Sequence, residues 1–196
     1  MIMKNKIMKN ILVILVICLF IDLILIIIRY GKNYKNEEDV SSKINIIEKE
    51  ILNNDINNET IEANYKGYKI EGIIEIPIIN IKYPIINKTN NETMKVSITK
   101  FSGPKPNEIG NYTVAGHNNF DGTMFGKTKK LKIGDIIKIT DLKNNTLEYK
   151  IFKIYSIDPN DISCIDSVDP NTKEVTLITC TNGHKNRLIT KARENI

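Results

Sequence analysis

The chain contains few of the residues that build several common scaffolds and sites. Its 196 residues include only three Cys, ten Gly and six Pro. Three thiols cannot pair off into a disulfide framework, and their spacing fits no zinc-binding pattern. Gly and Pro are too scarce for a collagen-like or low-complexity chain. With 41% hydrophobic residues, the composition suits one medium-sized globular domain.

The excess of positive charge is confined to one end of the chain. The sequence carries 28 Lys and Arg against 23 Asp and Glu, a net charge of +5. Residues 1–35 contain six basic residues and one acid, whereas residues 36–196 contain 22 of each sign. A nucleic-acid-binding domain needs its cations clustered on the surface that touches phosphates. Here the cations flank an apolar run, so we expect a membrane boundary and no nucleic-acid partner.

Residues 11–28 form that apolar run, which is interrupted only by Asp22. Its length is near the lower limit for crossing a hydrocarbon core of about 30 Å. The residues that follow it are not the small ones of a signal-peptide cleavage site. We therefore predict an uncleaved, single-pass anchor. Asp22 is interpreted as a tolerated carboxyl near the outer end, which is protonated or reaches toward the headgroups.

The charges around the run set the predicted orientation. Three lysines precede the run and three basic residues follow it closely, so the positive-inside count is tied. The free α-amino group adds a positive charge before the run, and three acids at 37–39 dilute the charge after it. We predict that residues 1–10 are cytoplasmic and that the folded domain lies outside the cell.

The remaining chain divides into a predicted stalk and a predicted β domain. Residues 29–64 are polar and rich in Asn, and Ile44, Ile47 and Ile51 fall on one face of a marginal amphipathic helix. In residues 65–196, short apolar or alternating runs without helical rhythm predict an all-β barrel or sandwich. The predicted strands are 72–77, 78–86, 112–115, 132–140, 146–157, 175–179 and 188–192.

Three side chains stand where predicted strands end or begin. His117 follows one strand through a glycine, Cys180 ends another, and Arg187 opens the next. Strand parity places Cys180 and Arg187 side by side at one end of a sheet. A nearby cation favours the thiolate, an imidazole can protonate a leaving amine, and a guanidinium can brace an oxyanion. The set permits covalent acyl transfer. The ordinary interpretations are a buried apolar residue for Cys180, a turn for His117 with Asn118, and a solvated strand edge for Arg187.

Four segments resemble the bacterial sortases, the membrane-anchored cysteine transpeptidases of Gram-positive surfaces. They are GIIEIP at 72–77 with YPI at 83–85, VAGHN at 114–118, Phe125 with LKIGD at 131–135, and TLITC at 176–180 with RLI at 187–189. The resemblance covers about residues 70–193 in the family's order. It implies a closed eight-stranded β-barrel with short helices. It also implies that Cys180 is the nucleophile, His117 the general acid, and Arg187 the group that orients the substrate and steadies the oxyanion.

The resemblance further implies a reaction and its partners. An LPXTG-like sorting-signal peptide would be cleaved after its Thr, with a thioacyl-enzyme at Cys180. An amine of a peptidoglycan precursor or of a pilin subunit would then accept the acyl group. Plain hydrolysis of the same peptides is one alternative. A non-catalytic, membrane-tethered β domain that binds cell-wall or protein ligands is the other.

The class within the family is left open by the motifs. The segment DGTMF at 121–125 resembles class B, whereas the Thr residues around Cys180 followed by Arg187 resemble classes C and D. The loop before the cysteine strand is shorter than the helix-containing loop of class B. The substrate motif and the amine acceptor therefore stay open.

Other polar residues receive structural interpretations. His184 is assigned to the turn after Cys180, with assistance to Cys180 as the alternative, and Cys18 is an apolar residue of the anchor. Cys164 is expected to be packed or harmlessly exposed, with a disulfide to Cys180 as the alternative. No cofactor is expected; Ca²⁺, which some sortases bind near this loop, is the alternative, since carboxylates suit a hard cation but also form turns. The carboxylates in question are Asp158, Asp161, Asp166 and Asp169.

Overall fold

A computed structural model describes residues 2–57, 62–167, 169 and 171–195, the side chains of 2–7, 32–37 and 53–57 excepted. Residues 58–61 of the predicted stalk, and residues 168, 170 and 196 of the predicted β domain, lie outside the described residues. The chain divides into two units, one up to Val40 and one from Ser41 onward. The boundaries at residues 10, 28 and 64 stay predictions.

Two α-helices and nine strands make up the described structure. The helices are α1 (Ile2–Asn57) and α2 (Asn91–Val96). The strands are β1 (Asn64–Tyr65), β2 (Tyr68–Ile76), β3 (Ile81–Ile86), β4 (Ile98–Ser102), β5 (Gly110–Ala115), β6 (Ile136–Asp141), β7 (Thr146–Ile157), β8 (Lys173–Thr181) and β9 (Asn186–Glu194). Three single turns of 3₁₀-helix lie at Pro77–Ile79, Thr128–Lys130 and Ser163–Ile165.

Within the first unit, α1 contains a candidate membrane span. Its segment Met8–Gly31 has 24 residues and is apolar enough to cross a bilayer. At 1.5 Å per residue this segment is about 36 Å long, which exceeds a hydrocarbon core of about 30 Å. Asp22 and Cys18 both lie inside it. The expected N-terminal apolar helix is therefore present.

Within the second unit, the last turns of α1 bury an apolar face. Ile44, Ile47 and Ile51 are at most 3% exposed, and their spacing places them on one side of the helix. Glu48, between them in sequence, forms an ion pair of 2.6 Å with Lys82 of β3. These residues of the predicted stalk are thus ordered together with the β domain.

Eight of the strands form a closed barrel, as predicted. Their order is β2-β3-β4-β5-β8-β9-β7-β6, and β6 pairs back onto β2 through Ile73↔Thr140 and Ile74↔Ile139. A side chain at Gly72 would meet the backbone carbonyl of Thr140, so the closing strands need a glycine there. β1 adds only a short hairpin to β2. The barrel is filled by apolar side chains such as Ile74, Ile85, Val114, Ile139 and Val175, all fully buried.

Two predicted strands begin later than the sequence suggested, and β1, α2 and β4 were not among the predicted elements. The run predicted as strand 78–86 opens with the 3₁₀ turn at Pro77–Ile79. The run predicted as strand 132–140 opens with a turn in which the Asp135 carboxylate accepts the Lys132 N–H at 2.8 Å. The unpredicted elements α2 and β4 connect β3 to β5, and β4 pairs parallel with β3.

Helix α2 begins at a reciprocal cap. Asn90 accepts the backbone N–H groups of Glu92 and Thr93 at 2.9 Å each. In return, the Thr93 hydroxyl accepts the Asn90 N–H at 2.9 Å. The cap satisfies backbone donors that a helix of six residues cannot pair internally.

Candidate active site

Strand register places Cys180 directly opposite Arg187. β8 and β9 pair antiparallel with Ile178↔Ile189 and Cys180↔Arg187 in register. Directly paired residues of an antiparallel sheet project from the same face. Both side chains are partly exposed, so a thiol and a guanidinium are neighbours at the end of this strand pair.

His117 reaches the same end of the barrel from a different strand. β5 and β8 are parallel neighbours, with Ala115 in register with Ile178. The Gly116 N–H then donates to the Ile178 carbonyl at 3.1 Å. Continuing this register by two residues brings His117 level with Cys180. The carboxyl ends of two parallel strands thus bring the imidazole-bearing and thiol-bearing residues to one rim, which partly exposes both.

Further hydrogen bonds hold the loop that carries His117. The buried Thr179 hydroxyl donates to the Gly116 carbonyl at 2.7 Å. The Asn118 side-chain amide donates to the Cys180 carbonyl at 2.7 Å. Farther along the loop, the Phe125 N–H donates to the His117 carbonyl at 2.9 Å. From the sequence, Thr179 and Asn118 were named only within the motifs at 176–180 and 114–118, and no role was predicted for either.

Arg187 is held by weak contacts to its own turn. Its Nη1 lies 3.4 Å from the His184 carbonyl and 3.5 Å from the Asn186 carbonyl. Within the described residues, it forms no ion pair with a carboxylate. A guanidinium without a fixed anionic partner keeps donors available for a carbonyl oxygen. His184 itself is exposed in the β8–β9 turn and adopts a positive φ of 71°, in keeping with its assignment to a turn.

The segment between β7 and β8 covers the same face of the barrel farther from the rim. Asn111 of β5 donates its amide to the carbonyls of Cys164 and Ile165 at 3.0 and 2.9 Å. The Lys191 ammonium of β9 donates to the Asp166 carbonyl at 2.5 Å. These two polar side chains hold the 3₁₀ turn at Ser163–Ile165 and the residue after it against β5 and β9.

Cys164 is buried beneath that segment, at 2% exposure. Burial raises the pKa of the Cys164 thiol, against the opposing charge of Lys191. Asn111 contacts both the Cys164 carbonyl and the hydroxyl of Thr176. Thr176 lies four residues before Cys180, which is about 13 Å along a strand. Both cysteines are free, and a disulfide between them would need Cα atoms within about 7 Å.

The aspartates of the β7–β8 segment serve local turns. Three of them accept a backbone N–H two residues ahead, at 2.8 to 3.0 Å; these are Asp158, Asp161 and Asp169. The bonds from Ser163 lower the pKa of the Asp161 carboxyl. Among the described residues, no group of three or more His, Cys, Asp or Glu side chains is arranged to hold a metal ion. The observed geometry is that of turns.

The arrangement has the parts required for acyl transfer through a cysteine. A thiolate attacks a carbonyl carbon, and an adjacent imidazolium both favours the thiolate and supplies a proton to the departing amine. A guanidinium beside the thiolate can donate to the oxygen that becomes negative in the tetrahedral intermediate. The rim defined by Cys180, His117 and Arg187 carries a thiol, an imidazole and a guanidinium.

Comparison with known proteins identifies relatives of the barrel. A model of the sortase domain matches residues 74–195. Sortase A of Listeria monocytogenes is 36% identical over 121 residues, which are 60% of this chain and 52% of that protein. Sortase A of Staphylococcus aureus is 26% identical over 155 residues, 76% of this chain and 75% of that protein. The chain thus spans about half the length of the Listeria relative.

Solved structures agree with the sequence comparisons. The sortase D5 transpeptidase of Clostridium perfringens superposes with a TM-score of 0.61 at 28% identity, covering 81% of this chain and 95% of that structure. Sortase A of Listeria monocytogenes superposes with a TM-score of 0.59 at 28% identity, covering 65% and 88%. The similarity therefore extends from the ordered motifs to the path of the backbone.

Proposed function

The chain belongs to the sortase family, and from this premise we propose that it is a cysteine transpeptidase whose nucleophile is Cys180. The family assignment supports a sortase activity. The pairing Cys180↔Arg187, with His117 level with them at the end of the parallel neighbour β5, is the observation that supports these residues as the site.

The proposed first step is acylation. The Cys180 thiolate attacks the carbonyl carbon of the Thr in an LPXTG-like sorting signal, and the resulting oxyanion accepts hydrogen bonds from Arg187. The C–N bond then breaks, the His117 imidazolium gives its proton to the departing amine, and a thioester remains on Cys180.

The proposed second step is transfer. An amine of a peptidoglycan precursor or a pilin subunit attacks the thioester, and the neutral His117 accepts its proton. The new amide leaves, and the Cys180 thiolate is restored. Water in place of the amine would give hydrolysis. We further propose that residues 11–28 anchor the protein in the cell membrane, with the N-terminus in the cytoplasm and the barrel outside.

The test is incubation of the full chain, in detergent, with a panel of sorting-signal peptides with and without amine acceptors, followed by mass spectrometry. We expect a thioester adduct on Cys180 and an acceptor-dependent ligation product. Cys180→Ala should form no adduct, and His117→Ala and Arg187→Ala should lose most turnover. Full activity of any variant would remove that residue from the mechanism. Absence of any adduct, together with a Cys180 inert to a thiosulfonate, would favour the non-catalytic binding domain.

A further inference from the structure

We propose that Asn118 is a positioning residue that holds the His117 loop onto the backbone of the nucleophile. Its side-chain amide donates to the Cys180 carbonyl at 2.7 Å, across 62 residues of sequence. The inference rests on the proposed function, since positioning matters only if His117 and Cys180 react together. It adds a residue that touches neither the substrate nor the transferred proton.

The loop is well tied before His117 and has little holding it to β8 after it. Before His117, Gly116 is bound on both sides, through its N–H to Ile178 and through its carbonyl to Thr179. After His117, the hydrogen bonds of the described residues run mostly within the loop, as between the Phe125 N–H and the His117 carbonyl. The Asn118 amide is the described side chain of this later part that bonds to β8.

The Asn118 backbone is itself held in place, so the bond from its side-chain amide fixes the position of the loop relative to Cys180. Asn118 forms an isolated β-bridge with Met124, and Met124 is buried at 7% exposure. The side chain therefore links a small, internally bonded loop to the residue that carries the thiol. Without the amide, the His117 loop would pivot about Gly116. A displacement of about 1 Å between reacting groups costs on the order of 100-fold in rate.

The neighbouring Asn119 provides a matched control. Its amide donates to the Thr123 hydroxyl at 2.9 Å, within the same loop. Asn119→Ala removes the same amide group from the same loop as Asn118→Ala does, but it breaks no bond to β8. The comparison of Asn118→Ala with Asn119→Ala thus separates anchoring to the nucleophile strand from general damage to the loop.

The first measurement is steady-state transpeptidation by the full chain. We expect Asn118→Ala to lower kcat about 10- to 100-fold with KM nearly unchanged, because Asn118 is not assigned a substrate contact. Asn119→Ala should stay within about threefold of the wild type. Asn118→Gln, which keeps the amide donor on a longer chain, should recover part of the loss. A kcat of Asn118→Ala within about twofold of Asn119→Ala overturns the proposal.

The second measurement requires no substrate. The rate of Cys180 alkylation, followed by peptide mapping, reports the thiolate fraction against pH. A loosened imidazolium stabilises the thiolate less, so the alkylation midpoint should move to higher pH in Asn118→Ala and stay unchanged in Asn119→Ala. Identical midpoints in the three proteins overturn the positioning role, even if no peptide is turned over.

The failure of this inference and the failure of the proposed function have different signatures. If wild type and Cys180→Ala are equally active, the proposed function is wrong. If Cys180→Ala is inactive while Asn118→Ala keeps its kcat and its pH profile, the function stands and the positioning role is wrong. Circular dichroism of each variant checks that the exposed Asn118 is not needed for folding.

Discussion

A methyl group added at Gly116 should disturb the site by crowding alone. An added Cβ would lie 2.8 Å from Cδ2 of the Phe125 ring, and 3.1 and 3.2 Å from two further ring atoms. Carbon atoms prefer separations of about 3.5 to 4.0 Å, so the ring would have to recede by about 1 Å. Phe125 is fully buried and has little free space to enter. Gly116 does not have a positive φ, so alanine is not excluded by backbone conformation.

Overpacking a filled core costs about 1 to 3 kcal/mol, and this is the destabilisation that we expect for Gly116→Ala. The same crowding should displace the adjacent His117 and lower kcat about 10- to 100-fold. Equilibrium unfolding in urea, followed by circular dichroism of the full chain in detergent, measures the first effect. Peptide turnover measures the second.

A compensating substitution makes the test decisive. Phe125→Leu removes ring atoms and should cost stability by itself, through the cavity that it leaves. If crowding is the cause, Gly116→Ala should cost less in the Phe125→Leu background than in the wild type, which a double-mutant cycle measures. A destabilisation below about 0.5 kcal/mol, or the same cost in both backgrounds, would refute the reasoning.

Three further predictions concern buried side chains, those of Cys164, Lys191 and Tyr149. Cys164 should be alkylated at least about tenfold more slowly than Cys180 at pH 8, since it is buried and burial raises its pKa. Peptide mapping after a brief exposure to a thiosulfonate measures both rates, and equal rates would contradict the prediction. Burial lowers the Lys191 pKa, so with rising pH the folded chain loses this proton before the unfolded chain does. The free energy of unfolding should therefore increase as pH approaches the ordinary lysine range, and Lys191→Met should remove this increase. If this is wrong, urea titrations from pH 8 to 10.5 would give the same dependence of the free energy of unfolding on pH in both proteins. Tyr149→Phe should cost about 1 kcal/mol through loss of its 2.9 Å bond to Asn107, with Tyr68→Phe, on a less buried tyrosine, as a comparison.

The features that could be predicted from the sequence are those that depend on residues close together in the chain. Alternation marked most strands, and parity alone placed Cys180 and Arg187 on matching faces, where the register then aligned them. The parallel pairing of β5 with β8 could not be predicted, because the two strands are separated by a long stretch of chain and the sequence of neither strand indicates which strand it pairs with. Strand positions therefore placed His117 at a strand end, and only its chemistry and the family resemblance grouped it with Cys180.

The missed elements have identifiable causes. β4 is short and carries Lys100 and Ser102 among its five residues, so it lacks the apolar alternation of a predicted strand. α2 depends on the cap at Asn90 more than on an apolar face. Asn118 was interpreted as part of a turn, because a side chain that reaches a carbonyl 62 residues away leaves no local pattern. The catalytic roles of the three site residues stay predictions.

The parallel contact between β5 and β8 joins segments that are far apart in sequence. Thr179 and Gly116 are 63 residues apart in sequence, so their contact forms only after a large loop has closed, which is slow relative to local structure. If Cys180 and His117 act as proposed, a chain in which β5 and β8 have not yet paired would carry the thiol without the imidazole level with it. The proposed site would therefore be complete only after the last strands have joined the barrel.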